Sequence, residues 1–138
     1  MQKLIDMAKS GRFEFINCGF SMPDQALNYF LDLIGIFDYG RSYCRALTGK
    51  VPKIGWSIDA FGASAYMSRL YAEMGYHTQI HNRLPYKYKS ELKRTDAMTF
   101  VWKGDRPEWD MVTSFTHGHY THPHPMFMGP FDLSDPEF

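Results

Sequence analysis

GWSIDAFGAS, residues 55–64, is the end of an apolar run that closes on a carboxylate and passes into a glycine-containing turn. Upstream, VPKI extends the run, and Val51, Ile54, Trp56 and Ile58 carry the apolar signal of a strand. Downstream, AYMSRLYAEMG has the spacing of a helix that Gly75 ends, with Tyr66, Leu70, Tyr71 and Met74 as a core-packing stripe. In parallel α/β sheets the reactive groups gather beyond the carboxyl ends of strands. Asp59 stands at such an end. An aspartate there is also a common N-cap for the helix that follows. Ser64 is equally able to cap that helix, so on the residues alone both readings of Asp59 stay open.

Working outward, residues 1 to 10 read as an amphipathic helix stopped by Gly11. RFEFINCGF alternates and predicts a strand. Residues 21 to 49 predict a helix with Ser21 as cap, Pro23 in its first turn, and Leu27, Phe30, Leu31, Ile34 and Phe37 on its apolar face. Gly35 and Gly40 weaken its middle, and Gly49 is its stop. YHTQIHNRL predicts a strand ending near Arg83. PYKYKSELKRT, residues 85 to 95, reads as a polar loop, and DAMTFVW and MVTSFT as strands. No repeat appears. Alternating strands and helices predict an α/β fold with a parallel sheet, whose rim gathers Asp59, Asn17 to Phe20, and Arg83.

Charge and composition narrow the function classes. Fifteen basic and fifteen acidic residues cancel, which excludes the positive field that nucleic acid requires. No stretch approaches the roughly 20 apolar residues of a membrane span, and MQKLIDMAKSGRFEF lacks the apolar core of a signal peptide. Cys18 and Cys44 have no CxxC spacing and are expected as free, buried thiols.

The ordered motifs resemble glycoside hydrolase family 38, the α-mannosidases. The family's nucleophile strand reads G/A-W-x-I-D-P-F-G-H-S, against Gly55-Trp-Ser-Ile-Asp59-Ala-Phe61-Gly-Ala-Ser64 here. Asn17-Cys-Gly-Phe-Ser-Met-Pro-Asp24-Gln25 is similar to its G-G-W-x-M-x-D-E segment. Leu70, Ala72, Met74 and Gly75 resemble the helix after the nucleophile, Arg83 an arginine before a short loop, and Phe100 to Trp102 an F-x-W strand. The resemblance implies retaining hydrolysis of terminal α-mannosidic bonds in oligosaccharides or glycoproteins. Retaining glycosidases use two carboxyl groups about 5–5.5 Å apart. Asp59 would be the nucleophile and also a zinc ligand. Phe61 would line the sugar pocket, with core packing as its other reading. Arg83 would hold the carboxylate ionised, with a surface ion pair as its other reading. Tyr120 would correspond to a pocket tyrosine.

The resemblance also implies what lies elsewhere. The family's zinc site needs an H-x-D motif, and none occurs in this chain. The remaining zinc ligands and the acid/base aspartate are expected outside residues 1–138. The chain is therefore expected to be a partial catalytic domain, a piece of a seven-stranded (β/α) barrel without its first strand and C-terminal portion. It would need the rest of the parent chain to complete the fold and to act on a mannose-containing oligosaccharide. Ala60 and Ala63 replace the family's proline and histidine, Phe20 replaces a tryptophan, and Gln25 replaces a glutamate with an expected loss of polar contacts. These departures leave an alternative, a degenerate homologue that binds a glycan or partner without catalysis. His117, His119, His122 and His124 read as an exposed loop, with zinc binding as the second reading. The compartment is not legible; family members work in the secretory pathway, lysosomes or cytosol.

Overall fold

The computed structural model describes residues 1–118 and 120. Helix α1 (Gln2–Lys9) packs on α2 (Phe30–Thr48). Strand β1 (Ile54–Ser57) leads through α3 (Ala65–Glu73) to β2 (Thr78–His81). Helix α4 (Tyr86–Arg94), β3 (Thr99–Trp102), a short 3₁₀ turn (Pro107–Trp109) and β4 (Met111–Phe115) follow. The chain is thus α/β with a four-stranded sheet in the order β1-β2-β4-β3. β1, β2 and β4 are parallel, as the strand-helix-strand rhythm predicts. β3 departs from it: it reaches β4 through the short segment 103–110 and pairs antiparallel, because so short a link cannot carry the chain back across the sheet.

Helices α2 and α3 cover one face of the sheet. Leu33 and Phe37 of α2, Met67, Leu70 and Tyr71 of α3, and Met111 of β4 form the buried core with Tyr76. Gly55 has a packing reason. A Cβ there would sit 2.8 Å from the Tyr71 ring, so its absence lets the ring lie flat against β1. The opposite face carries Trp56, Ile80, Val101 and Val112, and Val101 and Val112 are 51% and 42% exposed. No helix among the described residues is long and apolar enough to cross a membrane.

Several expectations are corrected. RFEFINCGF forms no strand. Asn17 and Cys18 take positive φ of 57° and 51°, which breaks a ladder. The segment still covers the edge of β1: the Asn17 N–H donates to the Ile54 carbonyl (2.7 Å), and Asn17 Oδ1 accepts from the Trp56 N–H (3.1 Å). The helix expected from Ser21 begins only at Phe30, because the Asp24 carboxylate instead accepts from the Ala26 and Leu27 N–H groups in a local turn. Its buried stripe is Leu33, Phe37, Gly40 and Thr48, whereas Phe30, Leu31 and Ile34 are exposed. Residues 86–94 form α4 instead of a loop; they lack apolar periodicity because the helix buries none of its residues. In the α3 stripe Leu70 and Tyr71 are buried, while Tyr66 is 43% exposed.

A further correction concerns the cysteines. Cys18 and Cys44 are joined as a disulfide, with Cα atoms 6.4 Å apart. Gly40 brings them together. A side chain there would overlap the Cys18 carbonyl and the Phe20 amide, so its absence lets segment 18–20 lie on α2 one turn before Cys44. No spacing rule reveals a pair 26 residues apart. Closing a loop of this length raises stability by about 2–4 kcal/mol. Cys18→Ser/Cys44→Ser is therefore expected to lower the urea midpoint correspondingly, and added dithiothreitol to lower the native protein's midpoint but not the variant's.

Candidate active site

Parallel pairing sets the site. Ser57 of β1 is in register with His81 of β2, so Asp59 and Arg83, each two residues further on, emerge side by side on one rim. The Arg83 guanidinium grips Asp59 through Nε (2.7 Å) and Nη2 (2.6 Å), both to Oδ1. The same oxygen accepts a hydrogen bond from the Tyr120 hydroxyl, which also accepts from Arg83 Nη2 at 2.8 Å. Arg83 lies over the Phe61 ring at 4.4 Å and the Tyr120 ring at 5.6 Å. The hydrogen bond to Asp59 raises the Arg83 pKa above its ordinary value and is also the leading cause that raises that of Tyr120. The arrangement is a carboxylate held in one orientation beside a fixed cation, open to solvent, with an aromatic wall.

The four residues singled out in the sequence, Asp59, Phe61, Arg83 and Tyr120, thus meet at one place. Phe61 is 75% exposed, so its core-packing reading falls. Ser64 is the N-cap position of α3 and Asp59 lies five residues earlier, so Asp59 does not cap that helix. His117 is exposed; His119, His122 and His124 lie outside the described residues.

The supporting residues were harder to see. Gln25, buried at the rim, donates from Nε2 to Ser57 Oγ (2.9 Å) and accepts at Oε1 from the Ser64 N–H (2.8 Å). It clamps both ends of the turn that carries Asp59. The expected loss of polar contacts at this position is therefore corrected: the amide supplies a donor and an acceptor at once. Asn82, also buried, accepts at Oδ1 from Lys89 Nζ (2.8 Å) and Thr116 Oγ1 (2.7 Å), and Lys89 reaches on to the Gly118 carbonyl (3.2 Å). These bonds join the loops after β2 and β4 to α4, and so hold the approach to Tyr120. Lys89 stood in a presumed loop, where no pattern marked it. Asn17 accepts at Oδ1 from the Tyr71 hydroxyl (3.0 Å) and at its carbonyl from the Tyr76 hydroxyl. Burial raises both phenols, Tyr76 to about 12, so both stay protonated as donors.

Residues 1–135 match the glycosyl hydrolases family 38 N-terminal domain, and the chain belongs to that family. It is 33% identical over 126 residues to the lysosomal alpha-mannosidase of Dictyostelium discoideum, covering 89% of this chain and 12% of that protein. It is 31% identical over 121 residues to the alpha-mannosidase of Canavalia ensiformis, covering 85% and 12%. It is 31% identical over 129 residues to the lysosomal alpha-mannosidase of Bos taurus, covering 88% and 13%. The chain spans about an eighth of the length of the curated relatives it matches.

Zinc, which the family resemblance implies, does not find a complete donor set here. Asp59 offers one carboxylate, already engaged by Arg83, and among the described residues no group of three His, Cys, Asp or Glu side chains is placed to hold a metal ion.

Under the rim, His81 is 3% exposed, its ring 5.6 Å from that of Phe115, and its Nε2 has no hydrogen-bond partner among the described residues. Burial pushes its pKa down from 6.5 to about 4. As pH falls, the unfolded chain takes up this proton first. The stability of a neutral His81 is therefore complete above pH 6.5 and is lost as pH falls to 4. The difference amounts to about 3 kcal/mol. Urea midpoints measured across this range are expected to show that slope, and His81→Gln to flatten it.

Proposed function

We propose that this chain is the nucleophile-bearing part of a retaining α-mannosidase, with Asp59 as the nucleophile. The observation that carries the reading is the fixed Asp59–Arg83–Tyr120 cluster on the strand rim of a family 38 chain. Arg83 favours the ionised carboxylate, the form that attacks. A carboxylate oxygen of Asp59 bonds to the anomeric carbon as the bond to the leaving oxygen breaks. An acid elsewhere in the protein protonates that oxygen and then takes a proton from the water that releases the sugar. The donors on Oδ1 keep the carboxylate from rotating, so the second oxygen's direction is set before substrate arrives. Phe61 offers an aromatic face to the C–H face of a terminal mannose. A zinc ion would draw one ligand, Asp59, from this chain and the rest from elsewhere.

The sheet suits a segment of a (β/α) barrel. Helices α2 and α3 lie on one face, and the other face bears the apolar side chains that a closed barrel would turn inward. The rest of that barrel, its first strand and closing strands, would come from chain beyond residues 1–138.

In the gene's full-length product, Asp59→Asn is expected to lower kcat on an aryl α-mannoside by at least about 1,000-fold with little change in KM. An unchanged kcat would remove the nucleophile assignment. An inactive native protein that still binds mannosides would establish the degenerate, glycan-binding alternative. Tyr120→Phe removes one hydrogen bond to a charged oxygen and is expected to lower kcat about tenfold. Steady-state kinetics on the same substrate checks it.

A further inference from the structure

Beside the Asp59 turn lies a cavity of about 560 Å³, open at its mouth. Phe61 and Arg83 form the wall it shares with the candidate active site, and Tyr86, Lys89, Lys93 and His117 form much of the rest. Tyr86, Lys89, Ser90 and Lys93 are spaced i, i+3, i+4 and i+7, so they make up one stripe of α4. α4 buries none of its residues. Its cavity-facing stripe is therefore not explained by core packing.

The charge on this stripe is one-sided. No aspartate or glutamate lines the cavity among the described residues, although the chain as a whole has as many acids as bases. Lys89 and Lys93 are a like-charge i, i+4 pair, which works against the helix. The one acid of α4, Glu91, turns instead to Arg94 at 2.6 Å, on a different side of the helix. Lys89 is locked to Asn82 and Gly118, so its charge is held in place. The Lys93 ammonium makes no ion pair or hydrogen bond among the described residues, and its backbone carbonyl accepts one, from the Asp96 N–H. Ser90 adds a hydroxyl, and Pro85 and Tyr86 bring the positive end of the α4 dipole to the same cavity. Cations gathered with no acid among the described lining residues, beside exposed aromatic rings, match a sugar that carries a negative charge.

We propose that this cavity is a subsite for a sugar bearing a phosphate or sulfate ester, next to the mannose that Asp59 would attack. The ester would lie against Lys93, His117 and Ser90, and its pyranose against Phe61 and Tyr86. The proposal rests on the hydrolase reading for its position along the glycan, but not for the binding itself.

The test uses the gene's full-length product and three synthetic mannobiosides: unmodified, phosphorylated on the reducing-end sugar, and sulfated there. Calorimetry on the Asp59→Asn form measures binding without turnover. The esters are expected to bind at least about tenfold more tightly than the unmodified disaccharide. Lys93→Gln should abolish that difference, Lys93→Arg should keep it, and all forms should bind the unmodified compound alike. A ratio of phosphate to sulfate binding that grows as pH rises through the phosphate's second ionisation at about 6 assigns phosphate. An equal advantage for both esters assigns any anionic ester. Equal binding of all three compounds, or a preference that survives Lys93→Gln, overturns the proposal. Turnover of the unmodified compound with no ester preference leaves the hydrolase standing without the subsite. Lys93-dependent ester binding in a native protein that hydrolyses nothing leaves the subsite standing without the hydrolase.

Discussion

The contact on which the rest of the structure depends is the Tyr71 ring against the bare backbone of Gly55. It sets the distance between α3 and the sheet, and it carries the Tyr71 hydroxyl through to Asn17 at the far edge of β1. Asn17 in turn pairs with Ile54 and Trp56, so one phenol fixes a helix, a strand and the segment that covers the strand's edge. Tyr76 closes the same knot from the loop before β2. Because β1 and β2 are parallel and in register, fixing β1 fixes where Asp59 meets Arg83. The rim chemistry therefore inherits its geometry from a buried tyrosine and a missing methyl group.

The rim is stabilised by polar bonds more than by packing. Gln25 holds the turn after β1, and Asn82 with Lys89 holds the loops after β2 and β4. Their polar atoms are largely shielded from water, where an unmade hydrogen bond is costly and a made one gives direction. Phe61 and Tyr120, by contrast, are exposed; Phe61 lies against Arg83, and Tyr120 bonds to both Arg83 and Asp59.

The sequence disclosed the central strand-turn-helix unit because residues 54–57 alternate between half-buried and buried, and Met67, Leu70 and Tyr71 bury themselves at helical spacing, although Val51, read as part of the strand, is exposed ahead of it. It disclosed Asp59 and Arg83 by their places at strand ends. It failed where local chemistry outweighed period. The alternating RFEFINCGF lost its strand to the left-handed turn at Asn17 and Cys18. The start of α2 shifted because the Asp24 side chain made its own turn. α4 was missed because a helix that buries nothing has no apolar stripe. The disulfide and the clamps of Gln25 and Lys89 join residues distant in sequence, and a single sequence holds no record of such pairs.

The strand order has a consequence for how this chain assembles as it is made. β3 leaves the ribosome before β4, yet its place in the sheet is outside β4. The β1-α3-β2 unit can dock as soon as residue 81 is free, but β3 has no partner until Phe115 has followed. For those residues the nascent chain carries TFVW as an unpaired strand, the kind of segment that pairs wrongly if given time. The link 103–110 limits that time: it is short enough that β4, once emerged, finds β3 by a fast local closure, and the two can add to β2 together.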